Sequence, residues 1–509
     1  MSRTKKAMLN VSSVFVGQSM NFLISYFARR IFVIYIAKEF VGLDGLFTNL
    51  VQILSFFELG VGSAIVFSLY KPLAVNDVEK VKSLMQLYKK TYTAIGLFIF
   101  VAGAVMLPFI GLLVDVSFDL SFVRILFFLF VANTATSYFF SYRTSLIIAD
   151  QKKYITSIIN YTSRILLRVI QSIFLIITGN YVLYLIIQIV FTLLENILLS
   201  AYACYKYPYI SDKNVQKLDD LEFKDIVKNI KALIMHRVGG TVYEGTDNIL
   251  LSLFTGIVSV GTYMNYKLFL SAVTSIITQL FNSVMASMGN LNATENKDAF
   301  IKVFYSMTLA CFWIVGFSAI SLYCLLNTVI ELSFGKDFIF QMSIVFSLVI
   351  IFYVNGIRNA NLMAKGSLGL FWNDRYRPLI QAAVNLIVSI ILAQHLGMLG
   401  IFWGTTISVV VTCTFYDAII LFRYGFLCSI KPYLKKFFFY NIAVLLAGLA
   451  TNFACSFIVG ATVKSFIFKI IICLIVPNVT FFVCFYKTDE FQYFFKLVKG
   501  LLNKWKLVR

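Results

Sequence analysis

The chain has 509 residues, 60% of them apolar and only 13% charged, yet 44 basic residues against 24 acidic ones give a formal net charge of +20. Its mean hydropathy of +0.84 means more apolar surface than a water-soluble fold could hide, so the solvent is largely lipid. Nucleic acid, the usual partner of a basic protein, is excluded by dispersal: lysines and arginines sit a few at a time between long apolar runs and never build one patch.

The segment from Met1 to Lys6 and the apolar run behind it resemble a signal peptide. That run passes Arg29 and Arg30 without a convincing cleavage site, so a retained first membrane helix is expected. Crossing about 30 Å of hydrocarbon takes about 20 helical residues, longer than the strands of a barrel, and the apolar runs have the helical length. In chain order the expected spans are 11–36, 46–70, 91–114, 122–148, 155–178 and 182–205, then 232–255, 263–289, 301–325, 340–364, 378–396, 399–422, 438–459 and 465–486. The fold class is therefore all-α, a polytopic integral membrane protein of about 14 transmembrane helices. The basic clusters Lys71/Lys80/Lys82/Lys89/Lys90, Lys152/Lys153, Lys206 to Lys231, Arg375/Arg377 and Lys431/Lys435/Lys436 fall in every second gap. With an even span count, that alternation puts both termini in the cytoplasm.

The longest polar stretch divides the chain. Residues 1–210 form an expected N-terminal lobe of six helices, 211–231 a cytoplasmic linker, 232–425 a second six-helix lobe, and 426–509 two further helices with a basic tail. Asp219 to Lys231 reads as a short amphipathic helix on the membrane surface. Expected external loops are short, which leaves no room for an external enzyme domain. The eight cysteines, Cys204, Cys311, Cys324 and Cys473 among them, lie mostly in apolar segments without metal-ligand spacing. They read as small packing residues, with no metal site and no cofactor.

An ionisable group at mid-bilayer costs about 2.5–3.5 kcal/mol, so each needs a partner, a watery cavity or a ligand. In the fifth span Asn160, Arg164, Arg168 and Gln171 recur at helical spacing on one stripe. Like charges at i and i+4 repel unless an anion lies between them, and a diphosphate is such an anion. The structural alternative has Arg164 snorkelling and Arg168 paired with Glu195. Glu58, central in the second span, is either a partner for Arg29 or Arg30 or a proton carrier. Arg237, Glu244 and Asp247 share an arc of the seventh span with Gly240, either as a neutralised pair or as a cation site. Arg358, with Asn355 and Asn359, would extend a basic cavity into the second lobe. Asp417 reads as interfacial, and His236 and His395 as interfacial imidazoles near span edges.

Several phrases in residues 26–96 carry a family resemblance: Phe27-Ala28-Arg29, the linker Gly42-Leu43-Asp44-Gly45-Leu46-Phe47, Glu58-Leu59-Gly60-Val61-Gly62-Ser63-Ala64-Ile65, and Lys71-Pro72-Leu73-Ala74 continuing to Leu87-Tyr88-Lys89-Lys90. They resemble the polysaccharide transporter family of the multidrug/oligosaccharidyl-lipid/polysaccharide export superfamily, in particular its Wzx-type flippases. The resemblance implies movement of an undecaprenyl-diphosphate-linked oligosaccharide across the bacterial cytoplasmic membrane by alternating access of two six-helix lobes. It implies capsule, O-antigen or exopolysaccharide assembly, with a polysaccharide polymerase among the partners and Na+ or H+ left open as coupling ion. Phe27-Ala28-Arg29 also resembles the first helix of lipid II flippases, where an arginine at the matching place lines a cationic cavity, so Arg29 is expected to face inward.

Three functions follow for comparison. A flippase would use Arg29, Arg164, Arg168 and Arg358 to bind the diphosphate, and would not be an enzyme. A cation-coupled drug exporter of the same superfamily would prefer acidic walls. A membrane glycosyltransferase or polysaccharide polymerase would need catalytic groups on a substantial external loop, and Asp44, Asp115, Asp119 and Asp337 are expected on short ones.

Overall fold

In lipid no water is available to satisfy backbone N–H and C=O groups, so a chain of this hydropathy closes its hydrogen bonds within helices. The computed structural model describes residues 20–58, 68–69, 72–73, 75–114, 119–150, 152–212, 215, 243, 245–294, 297–370, 372–458, 460–493 and 495–496, and among them there is no strand. Ten helices among the described residues are long and apolar enough to cross a membrane. All ten fall on expected spans, and this is a multi-pass membrane protein. The remaining expected spans, 11–36, 46–70, 232–255 and 263–289, coincide with helical segments described in part.

The chain forms two compact units, residues 1–264 and 265–509. In the first, α1 (residues 20–35) and α2 (Lys38–Leu54) precede a 3-10 turn, Ser55–Glu58. Then come α3 (Val78–Met106), α4 (Leu120–Ala149), α5 (Lys153–Thr178), α6 (Tyr181–Lys206) and α7 (residues 245–255). The unit boundary falls inside α8 (Ile257–Thr294). Polar caps set the helix starts: Asp77 accepts from the Lys80 amide, Asp119 from Ser121 and Asn180 from Leu183. Between α5 and α6 the chain turns on Gly179, whose φ of 60° suits a residue without a Cβ. Tyr88, Tyr92, Ile99, Leu146 and Ile147 lie in one core shared by α3 and α4.

One sequence expectation changes here. The Gly42–Phe47 phrase is no linker, and Asp44 is on no loop: both lie inside α2. Glycine pairs usually punctuate turns, but a Cβ on Gly42 would stand 2.1 Å from the Ile257 carbonyl oxygen. The glycine lets α2 and α8 touch backbone to backbone, as small residues do between membrane helices.

The second unit holds α9 (Lys297–Phe334), α10 (Met342–Gly356), α11 (Asn359–Ser367) and α12 (Arg377–Leu396). It continues with α13 (Met398–Phe426), α14 (Lys431–Ser456) and α15 (Val463–Phe485). Helix α9 packs against α10, α14 and α15, and α12 packs along α13. Two π turns, Val410–Thr414 and Leu421–Phe426, interrupt α13 on either side of Asp417. Asp417 is fully buried rather than interfacial.

Candidate functional site

The α5 stripe opens onto a cavity inside the first unit. It has a volume of about 980 Å³, and Asn160, Arg164 and Arg168 line it. Facing them are Glu195 and Asn196 of α6, Glu58 at the end of the 3-10 turn, and Asn133, Ser137 and Ser141 of α4. Most of the remaining wall is hydroxyl or amide. In lipid, burying so many polar groups around empty apolar space would be costly, so the cavity is built to hold water or a polar ligand.

The two arginines have different partners. Arg168 donates to the Tyr184 hydroxyl at 3.1 Å, and Arg164 lies within electrostatic reach of Glu195. The Asn160 amide nitrogen also faces Glu195, at 3.2 Å. The structural alternative that pairs Arg168 with Glu195 therefore assigns that carboxylate to the wrong turn of α5. Gln171, last on the stripe, is buried and donates to the Tyr184 carbonyl at 3.0 Å, fastening α5 to α6.

Arg29 is on α1, outside the cavity wall. It donates to Asp44 at 3.4 Å, while the Tyr181 hydroxyl donates to the other carboxylate oxygen at 3.2 Å. Its guanidinium stands 5.5 Å from the Phe32 ring centre, and Phe32 packs on Tyr181 and Tyr184. Through Tyr184 this cluster adjoins Arg168. Arg30, one step round the helix, is exposed. Glu58 hydrogen-bonds Tyr92 at the cavity edge. Sequence alone offered Arg29 or Arg30 as its partner, whereas the carboxylate on Arg29 is Asp44, seen only once α2 is known to be helical.

Asp247 is buried on α7; Arg237, Glu244 and His236, expected near it, lie outside the described residues, as do most of the 211–231 linker and both termini.

Arg358 lies in the second unit, in a buried ion cluster. Its Nε donates to Asp417 at 2.9 Å, and its Nη1 to Asn355 at 3.3 Å. Lys365 donates to the other Asp417 oxygen at 2.8 Å and also pairs with Asp374. Arg377 reaches Asp374 at 3.3 Å and Asp417 at 3.5 Å. Three cations thus share two carboxylates, and Asp417 has no solvent exposure. From the sequence Arg377 counts only as part of a cytoplasmic basic cluster, and no local spacing singles out Lys365 or Asp374. At the end of α6, the Tyr207 hydroxyl donates to Asp150 at 2.7 Å; burial, with that hydrogen bond second, pushes the phenol well above its ordinary value.

With this geometry in hand, the comparisons decide the family. Residues 7–286, more than half of the chain, match the family described as polysaccharide biosynthesis protein. The chain belongs to that family. Its fold is shared with solved membrane transporters. The lipid II flippase MurJ, in an inward closed conformation, superimposes with a TM-score of 0.68 at 14% identity, over 92% of this chain and 97% of MurJ. An inward-facing multidrug resistance MATE transporter of the MOP superfamily gives 0.62 at 13% identity, over 80% and 97%. A Vibrio cholerae MATE transporter gives 0.56 at 12%, over 83% and 99%. No curated protein matches the chain.

Proposed function

We infer that this protein flips an undecaprenyl-diphosphate-linked oligosaccharide from the cytoplasmic to the outer leaflet of the bacterial cytoplasmic membrane, by alternating access. The observation that carries this reading is the polar cavity of the first unit, in a chain of the polysaccharide biosynthesis protein family. Arg164 and Arg168 supply the forked donors a diphosphate takes in pairs, with Arg29 close behind Arg168. The surrounding hydroxyls and amides suit a sugar. Arg358 of the second unit, paired there with Asp417, is kept as a further proposed diphosphate-binding residue. Glu58, Glu244 and Asp247, with Arg237, are proposed either to serve a coupling Na+ or H+ or to form structural ion pairs. Both termini are cytoplasmic, and a polymerase takes the flipped product.

The test is a reconstituted flipping assay with a fluorescent polyprenyl-diphosphate oligosaccharide in liposomes. Wild-type protein is expected to expose the label to an outside quencher, with transport lost in Arg164→Ala/Arg168→Ala. Exchange of lipophilic cations, with none of the lipid-linked sugar, would establish the second reading, a drug exporter, which Glu58 and Glu195 in the cavity favour. Orientation is checked separately in a cysteine-free background: cysteines at Asn76 and Asn373 should label only from the cytoplasm, and one at Asn180 from outside.

A further inference from the structure

Three cysteines that sequence spacing left unconnected meet in the second unit. Cys324 comes from α9, Cys455 from the end of α14 and Cys473 from α15, and their sulfur atoms all lie within 4.8 Å of one another. Cys455 and Cys473 are buried. Two further groups converge on them. The Ser321 hydroxyl, one turn back from Cys324 along α9, is buried and lies beside Cys473. The Lys469 ammonium, one turn from Cys473 along α15, donates to Thr328 at 3.4 Å and faces the cysteine pair.

Packing alone does not call for this chemistry. A small apolar residue fills the same space, and in lipid a buried hydroxyl and a lysine beside it are costly. A thiophilic metal ion gives every member of the group a task. Three sulfurs each about 2.3 Å from a central ion stand about 4 Å apart in a trigonal plane, inside the 4.8 Å within which these three already lie. Soft thiolates select Cu(I) or Zn(II) over hard cations. Each thiol would release its proton to water as its metal–sulfur bond forms, Ser321 would offer an oxygen in the fourth position, and Lys469 would offset the negative charge of the thiolates.

The geometry points to a binding site for one thiophilic d10 cation, Cu(I) or Zn(II), formed by Cys324, Cys455 and Cys473 with Ser321 and Lys469 beside it. The ion would fasten α14 and α15 to α9. It takes no part in the transport reading and stands or falls separately from it.

The experiment uses full-length protein, purified in detergent and stripped of metal under reducing conditions. Zn(II) and Cu(I) are added in separate arms, excess ion is removed, and retained metal is counted by mass spectrometry. About one ion per chain is expected in one arm, and a sulfur-to-metal charge-transfer band identifies Cu(I). Cys428→Ser, at an exposed position, should retain the ion, Cys473→Ser should lose it, and Lys469→Gln should bind roughly tenfold more weakly. Should the cysteine variants fail to fold, wild-type protein suffices: bound metal should shield Cys324, Cys455 and Cys473 together from maleimide, as read by peptide mapping. The site is overturned if neither ion is retained, if the Cys473→Ser protein binds as wild type, or if mapping finds a disulfide within the trio in place of metal protection.

Discussion

Both units carry arginine within apolar helices, and they solve the resulting problem in opposite ways. In the second unit Arg358, Lys365 and Arg377 close on Asp374 and Asp417, so the charges satisfy one another where water is scarce. In the first, Arg164 and Arg168 face a roomy polar cavity, and Arg168 has a tyrosine hydroxyl as its partner. A closed ion cluster contributes specificity and rigidity; an arginine held open toward a cavity is left with donors to spare. The difference between them is whether the desolvation cost is met by protein or by what enters the cavity.

The sharpest way to break this contrast is at Asp417. Removing it leaves three cations with Asp374 as the one remaining carboxylate of the cluster, so Asp417→Ala should lower stability by about 3–5 kcal/mol, with a fall in melting temperature and in folded yield from the membrane. A fully folded variant with unchanged melting behaviour would mean that water reaches the cluster. In the cavity the effect should move from stability to function. Arg168→Ala removes a charge-assisted contact worth about 1.5–3 kcal/mol, or roughly 10- to 150-fold in apparent substrate affinity, while melting stays near wild type. Lysine there should rescue only in part if the planar fork matters; equal loss of stability at both positions would erase the distinction. Gly42→Ala probes the frame behind the cavity, where the added methyl meets the Ile257 carbonyl, and a cost of about 1–3 kcal/mol is expected from thermal unfolding. The smallest effect is expected at the start of α6: Asn180→Ala removes a helix cap and should cost about 1 kcal/mol without changing transport.

What could be read from the sequence follows from how local each signal is. Apolar runs near span length located ten helices, because lipid imposes length and composition residue by residue. The Arg164/Arg168 stripe was legible for the same reason: i and i+4 share a face in any helix. Partners were not. Asp44 meets Arg29 only because two glycines that read as a turn are packing surfaces, and Arg358 finds Asp417 from 59 residues away. The cysteine trio joins three helices, so no spacing rule could have shown it.

The π turns of α13 have a consequence for tolerance to insertion and deletion. Each is a wider coil that accommodates an additional residue within an otherwise regular helix. Removing Val411, an exposed residue in the first turn, would let that turn close as a regular helical turn and keep the parts on either side in phase. Asp417 would then stay against Arg358 and Lys365. A single-residue deletion in this turn is therefore expected to be tolerated, whereas the same deletion in a regular helix rotates the part beyond it by about 100° and carries its buried charges away from their partners.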